Sequence, residues 1–161
     1  MRSLVLGRER PLTAAHETAY FSISPSDIVM RCVESFKTRS FARWSRKVPI
    51  ADDVLCAAVE EMASGLVDAD LGGHVYKKRV PVPGRGKRGG ARTIIGSNLG
   101  DRWFFLFGFE KNEGAAIDAR ELAALQAIAR ALLELDAKLL DKAGAEGEIV
   151  EICHEEASST R

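Results

Sequence analysis

The pattern of apolar and polar positions becomes regular only after residue 30. Residues 1–29 show no sustained period and are predicted to be a flexible N-terminal extension or to precede the true translation start. Residues 33–37 then alternate between apolar and polar side chains, which predicts a strand. Apolar positions next recur at helical spacing in two segments, the first ending before Pro49 and the second beginning at Asp52 or Asp53.

Further strands are predicted on both sides of a segment rich in glycine and proline. Residues 74–82 and 91–97 are predicted strands, and residues 83–90 are the predicted loop between them. The turn-like composition of residues 98–101 leads into residues 103–109, which are apolar on both faces. That pattern is typical of a central buried strand.

A long helix is predicted near the C-terminus. Asp118 and Glu121 have the spacing of a capping box, and apolar residues at helical spacing extend the predicted helix to about Lys142. Residues 149–152 are predicted to form a short terminal strand or a partner-binding tail. The order β-α-α-β-β-β-α predicts an α+β fold, with a small antiparallel sheet flanked by two N-terminal helices and one long C-terminal helix.

Length and composition fit a single globular domain. The 161 residues are predicted to hold one domain at residues 30–154 and a disordered tail at residues 155–161. No apolar run is long enough for a membrane span or a signal peptide, which predicts a cytoplasmic location. The three cysteines are far apart without a C-x-x-C motif, so neither a zinc site nor a disulfide is expected. Cys56 is interpreted as a small buried hydrophobe.

A net charge of zero conceals two oppositely charged halves. Residues 31–111 hold fifteen bases against nine acids, whereas residues 112–161 hold five bases against eleven acids. Seven Lys or Arg side chains lie within residues 77–92, and residues 71–100 contain no acid. Because no neighbouring acid relieves their repulsion, a bound polyanion is the predicted counterion, and nucleic acid is the commonest one. A solvated face balanced by the acidic half is the alternative interpretation.

The glycine-rich segment does not fit the common phosphate-binding motifs. Residues 84–89 (GRGKRG) match G-x-G-x-x-G, but a predicted strand follows them where a dinucleotide site needs a helix. A P-loop would need Ser or Thr where Arg88 stands. The segment is therefore interpreted as a hairpin-like connection whose glycines let the backbone approach a ligand closely.

Cleavage of RNA is one reaction that such a basic segment can support without a metal ion. The 2′-oxygen must lose a proton, the phosphate must be stabilised as it becomes pentacovalent, and the leaving 5′-oxygen must gain a proton. Arginine forks fit phosphate oxygens, and a lysine can act as a base where neighbouring cations lower its pKa. His74 is the nearest histidine in sequence, with a structural or surface role as its alternative.

Four short segments match a known family in order across residues 33–154. They are residues 70–73 (DLGG), 77–80 (KKRV), 84–93 (GRGKRGGART) and 105–113 (FLFGFEKNE). In these segments the chain resembles the RelE-like toxins of type II toxin–antitoxin systems, near the HigB-type branch of the RelE/ParE superfamily. The resemblance implies a compact antiparallel sheet flanked by helices. It also implies metal-independent, ribosome-dependent cleavage of mRNA without a cofactor, and a cognate antitoxin, often a helix-turn-helix repressor.

The resemblance also assigns roles to the basic residues. The implied catalytic set, which holds and activates the scissile phosphate, is Lys87, Arg92, Lys111 and Lys78. The implied RNA-binding set is Lys77, Arg79, Arg85 and Arg88. Well-studied RelE nucleases carry a tyrosine near the C-terminal end of the fold, whereas no tyrosine follows Tyr76 in this chain. Two alternative functions stay open: a ParE-like toxin that targets gyrase, and a nucleic-acid-binding module without catalysis.

Overall fold

The computed structural model describes residues 33–111 and 117–153, except for the side chains of residues 86–88. The predicted extension at residues 1–29 and the predicted tail at residues 155–161 lie outside the described residues. The elements in chain order are β1 (Glu34–Thr38), α1 (Arg39–Lys47), α2 (Asp52–Ala63), β2 (Ala69–Gly72), β3 (Val75–Val82), β4 (Gly86–Ser97), β5 (Arg102–Glu110), α3 (Ala119–Leu133), α4 (Ala137–Ala145) and β6 (Ile149–Ile152).

In the described part of the chain, six strands form one mixed sheet in the order β2-β3-β4-β5-β1-β6. The α+β class is confirmed, and the strand predicted from the apolar segment after the turn is β5, near the middle of the sheet. Every neighbouring pair is antiparallel except β1 and β5, which run parallel. A parallel pair needs a long crossover. The intervening residues 39–101 provide one, so the sheet is mostly antiparallel, as predicted, with a single parallel pair among the described strands.

Helices cover both faces of the sheet and produce two apolar cores. Trp103 and Phe105 of β5 lie in the core under α1 and α2, whereas Phe104 and Leu106 lie in the core under α3 and α4. Successive side chains of a strand point to opposite faces, so a strand between two helical layers must be apolar throughout. This explains the apolar run at residues 103–106 of β5.

Local hydrogen bonds set the beginnings of the helices. Thr38 caps α1, since its Oγ1 accepts a hydrogen bond from the backbone N–H of Phe41 at 3.3 Å. The predicted capping box of α3 is confirmed: Glu121 N–H donates to Asp118 at 2.7 Å, and Asp118 N–H donates to Glu121 at 3.1 Å. Helix α2 begins at Asp52. The negative charge of this side chain in the first turn interacts favourably with the positive N-terminal end of the helix dipole.

The single long C-terminal helix predicted from the sequence is wrong, because two helices are present. Helix α3 ends at Leu133, and Asp136 caps α4 by accepting a hydrogen bond from the backbone N–H of Leu139 at 2.8 Å. Apolar spacing continues across the break and hides it, although Asp136 is a good cap residue. Residues 149–152 form the edge strand β6, paired with β1, so the strand alternative is the correct one.

The basic segment is mostly strand. Strand β4 begins at Gly86 instead of residue 91, so the predicted loop of residues 83–90 is reduced to a turn at residues 83–85. Strand β2 was not predicted because its four residues are too few to establish an alternation. It joins β3 through Gly72, Gly73 and His74, all with positive φ.

Cys56 of α2 and Cys153, the residue after β6, form a disulfide. The Sγ atoms are 2.06 Å apart, and the two residues are separated by 97 positions in the chain. The expectation of unpaired cysteines is therefore wrong. No short spacing motif marks this pair, because only the fold brings the two residues together. The bond connects the helical layer on one face to an edge of the sheet.

Candidate nucleic-acid interface

Helix α3 covers only one end of its side of the sheet. A Cβ atom added at Gly96 of β4 would lie 2.9 Å from the Ala129 Cβ, so α3 packs directly on strand backbone there. The Gln126 side chain also donates a hydrogen bond to the Leu71 carbonyl at 3.2 Å. These contacts place α3 over the β2–β3 turn and the end of β4. The opposite end of β3, β4 and β5 presents partly or fully exposed side chains on this side.

Among the described side chains, the uncovered end presents three basic and two aromatic ones. Arg79 of β3 pairs in register with Arg92 of β4, which pairs with Phe109 of β5. The neighbouring row joins Lys77 of β3 to Phe107 of β5 through a β4 residue between them. Cross-strand partners share one face of a sheet. These five residues, Lys77, Arg79, Arg92, Phe107 and Phe109, are named the basic face.

Arg79 and Arg92 stand directly opposite each other on neighbouring strands. The Cβ atoms of such partners lie about 5 Å apart, and like charges at that separation repel. None of the described carboxylates forms an ion pair with Arg79, Arg92 or Lys77. The Arg92 guanidinium donates a hydrogen bond of 3.4 Å to the nearby Gly90 carbonyl. An anion with several oxygens, such as phosphate, would offset this repulsion and match the guanidinium forks.

The aromatic side chains lie next to these charges. The Lys77 Nζ lies 5.9 Å from the centroid of the Phe109 ring, within cation–π range. The Phe107 and Phe109 ring centroids are 6.1 Å apart, and the rings are tilted by 35°. Phe109 also packs against the apolar core under α3, whereas Phe107 is 48% exposed. Positive charge beside an accessible ring is the combination that single-stranded nucleic-acid sites use.

Lys78, which the family resemblance placed in the catalytic set, lies apart from the basic face. It points to the opposite face of the sheet, towards α2, and is 5% exposed. Its Nζ lies 2.7 Å from a Glu61 carboxylate oxygen and donates a hydrogen bond of 2.8 Å to the Leu66 carbonyl. The expectation that no acid relieves the repulsion among the basic side chains is therefore wrong at Lys78. The catalytic role of Lys78 stays a prediction that this position does not favour.

Arg85 is also paired with an acid from elsewhere in the chain. Its Nη1 lies 2.7 Å from the Glu110 Oε1, and Glu110 is the last residue of β5. Lys111 follows, exposed, at the same end of the sheet as Arg79 and Arg92. The backbone of Lys87 and Arg88 belongs to β4, but their side chains lie outside the described part of the structure, so their roles stay predictions.

Two titratable residues close in sequence to Lys77 are set apart from the basic face. His74 is exposed in the β2–β3 turn with φ 66°, three residues or about 10 Å of strand from Lys77. Tyr76 lies in the core under α1 and α2, where burial and the Asp70 carboxylate raise its pKa above the ordinary value of 10.0. Tyr76 therefore stays protonated near neutral pH, and it lies on the face of the sheet opposite the basic face.

Glu61→Gln is expected to destabilise the fold, because it leaves the buried Lys78 ammonium without its carboxylate. The expected loss is about 2–3 kcal/mol of unfolding free energy, below that of a fully buried pair because the Glu61 side chain is 33% exposed. Urea denaturation measures the change. Glu60→Gln, at an exposed neighbouring position of α2, is the matched control and should change stability by less than about 0.5 kcal/mol. Adding Lys78→Met to the Glu61→Gln variant should recover part of the loss, and a wild-type midpoint for Glu61→Gln alone would contradict the structural role.

Two other kinds of site are absent from the described residues. No group of three or more His, Cys, Asp and Glu side chains there is placed to hold a metal ion. Likewise, none of the helices in residues 33–111 and 117–153 has the length and apolar character needed to cross a membrane.

Fold and site together describe an α+β domain whose sheet presents exposed and half-buried Arg and Lys side chains at one end. Residues 33–152 match the family model described as the RelE toxin of the RelE/RelB toxin–antitoxin system. The chain belongs to the RelE toxin family, which confirms the resemblance, and an antitoxin partner follows from that membership. A search of curated proteins finds no significant match. The narrower HigB-type assignment stays a prediction.

Proposed function

We propose that this chain is a toxin that cleaves mRNA on the ribosome and thereby stops translation. The observation that carries the proposal is the facing pair of Arg79 and Arg92, whose guanidinium groups form no ion pair with a described carboxylate and lie at the end of the sheet that α3 does not cover. Membership of the RelE toxin family supports the same reading. In this proposal the two guanidinium groups hold the scissile phosphate, and Lys77 adds positive charge beside it.

The proposed reaction is a transesterification within the RNA chain. The 2′-oxygen attacks the adjacent phosphorus while the bond from phosphorus to the 5′-oxygen breaks, which gives a 2′,3′-cyclic phosphate and a 5′-hydroxyl. Arg92 and Arg79 would stabilise the negative charge that develops on the phosphate oxygens. Lys87 and Lys111, the family-implied residues near this end of the sheet, are the proposed sources of further charge and of proton transfer.

Induced expression in bacteria tests the proposal. Translation should stop early, and mapping of mRNA 5′ ends should place cuts in codons at the ribosomal A site. The upstream fragments should end in a 2′,3′-cyclic or a 3′-phosphate, as a reaction through the 2′-oxygen requires. DNA damage with continuing translation would instead identify a gyrase toxin. Salt-dependent RNA binding with intact mRNA would identify a module without catalysis.

The proposed partner is a cognate antitoxin, and the proposed place of action is the cytoplasm. A helix-turn-helix protein encoded beside this chain is the expected antitoxin. Its co-expression should restore growth, and the two proteins should co-purify as a complex. Continued growth arrest despite soluble co-expression of that neighbour would contradict this choice of partner.

A further inference from the structure

Phe107 is an exposed aromatic ring beside the arginines, and the proposed chemistry does not use it. Its side chain is 48% exposed, whereas Leu106 and Gly108 on either side of it in β5 are buried. The strand fixes the backbone of Phe107, and its ring contacts the Phe109 ring at a centroid distance of 6.1 Å. The ring is therefore held in place and still presents apolar surface to solvent.

The two rings of the basic face differ in what they already contact. Phe109 is half-buried against the core under α3 and has the Lys77 ammonium 5.9 Å from its centroid. Phe107 has no cation near its ring among the described residues. Of the two, Phe107 is the ring that can receive a flat ligand without displacing a protein group.

The surrounding charges indicate which ligand fits. Lys77 lies in the same cross-strand row as Phe107, and Arg92 lies in the next row, about 7 Å further along the strands. A ligand that covers this area must offer negative groups to the cations and an apolar face to the ring. A single-stranded nucleic acid has both, because phosphates alternate with bases along its chain. An acidic protein segment would satisfy the cations without needing a flat aromatic surface.

We propose that Phe107 is a nucleobase-stacking site, where an unpaired base of the RNA lies on the ring while Arg92 and Arg79 hold a phosphate of the same strand. The inference rests on the proposed function and adds a contact that positions the substrate. Every base has a flat π-face, so this contact increases affinity with little sequence preference. Phe107 is thus a binding and positioning residue, and the arginines remain the residues that touch the reacting phosphate.

Binding of two labelled oligonucleotides tests the proposal at low salt by fluorescence anisotropy. One is a short single-stranded RNA, and the other is a backbone of equal length without bases. Phe107→Ala should weaken binding of the RNA about fivefold or more, the low end of the range for one base–aromatic stack. It should leave binding of the baseless backbone unchanged, and the salt dependence should also be unchanged because no charge is lost. Phe107→Trp should keep the wild-type affinity for RNA, and Phe107→Leu, which is apolar but not flat, should behave like Phe107→Ala.

Leu99→Ala is the matched control, because Leu99 is also 48% exposed and lies in the turn at the opposite end of β4 and β5. It should leave both affinities unchanged, whereas Arg92→Ala should weaken both and reduce the salt slope by about one. Wild-type RNA affinity for Phe107→Leu, or an equal loss on both oligonucleotides, would overturn the stacking site while leaving the proposed function in place. Absence of salt-dependent binding to either oligonucleotide would overturn this inference, whereas the proposed function fails only if translation continues and mRNA stays intact after induction.

Discussion

Replacing Arg92 by alanine is expected to abolish toxicity and to slow mRNA cleavage by about 100- to 1,000-fold. The expected magnitude follows from the loss of one preorganised donor to a developing oxyanion, about 3–4 kcal/mol in the barrier. Arg92 lies in the middle strand of the basic face, between Arg79 on β3 and Phe109 on β5. Its removal also relieves the repulsion with Arg79, so the free energy of unfolding should stay equal or rise slightly. A large functional loss without a loss of stability is the signature expected of a phosphate-binding residue.

Growth after induction and the cleavage rate in a purified translation system measure the effect, and urea denaturation checks the fold. Arg92→Lys keeps the charge but loses the planar fork, so its cleavage rate should fall between those of the wild type and Arg92→Ala. Arg43→Ala removes one exposed arginine from α1, on the other side of the sheet, and should leave growth arrest and cleavage unchanged. A folded and abundant Arg92→Ala protein that still arrests growth would show that the scissile phosphate is held elsewhere.

Elements with a strong local sequence pattern could be predicted from the sequence. Elements that exist only through pairing with a distant segment of the chain could not. The first half of strand β5 is apolar on both faces because helices cover both sides of it there, and α3 begins with a capping box made of neighbouring residues. Strand β2 has only four residues and exists through its pairing with β3. The apolar spacing continues through the break at Asp136, so periodicity alone does not separate α3 from α4.

The positive charge of the candidate site could be predicted from the sequence. Composition alone could not show that the basic residues are divided between the two faces of the sheet. Glu61 and Glu110 lie far from the basic segment in sequence, yet they pair with Lys78 and Arg85. The strand alternation could have separated Lys78 from its neighbours, because adjacent residues of a strand point to opposite faces. No such signal existed for Phe107, since its whole segment is apolar. Its exposure depends on how far α3 extends over the sheet.

Removing the disulfide between Cys56 and Cys153 is expected to lower the free energy of unfolding by about 4–5 kcal/mol. The bond spans 97 positions, and closing a loop of that size restricts the unfolded chain by this amount in the chain-entropy account. Urea denaturation of the wild type with and without reductant measures the loss, and the Cys56→Ser/Cys153→Ser variant should match the reduced wild type. Cys32→Ser is the matched control, since it keeps the pair intact. Equal unfolding midpoints for the oxidised and reduced wild type would contradict the prediction.

The loss should be concentrated at β6, because this strand is at the edge of the sheet and the disulfide follows it directly. The Arg39 side chain donates hydrogen bonds to the Glu146 and Gly147 carbonyls, which hold the chain before β6 but not its end. On reduction, the amides of residues 149–152 should exchange hydrogen faster by a larger factor than those of the central strand β5.

Disulfides are rare in a reducing cytoplasm, where the proposed function places this chain. Since typical domains are stable by about 5–15 kcal/mol, a loss of this size decides whether the reduced toxin stays folded at growth temperature. Thiol trapping in cells, combined with the measured stability of the reduced protein, shows whether the oxidised or the reduced form of the toxin acts on the ribosome.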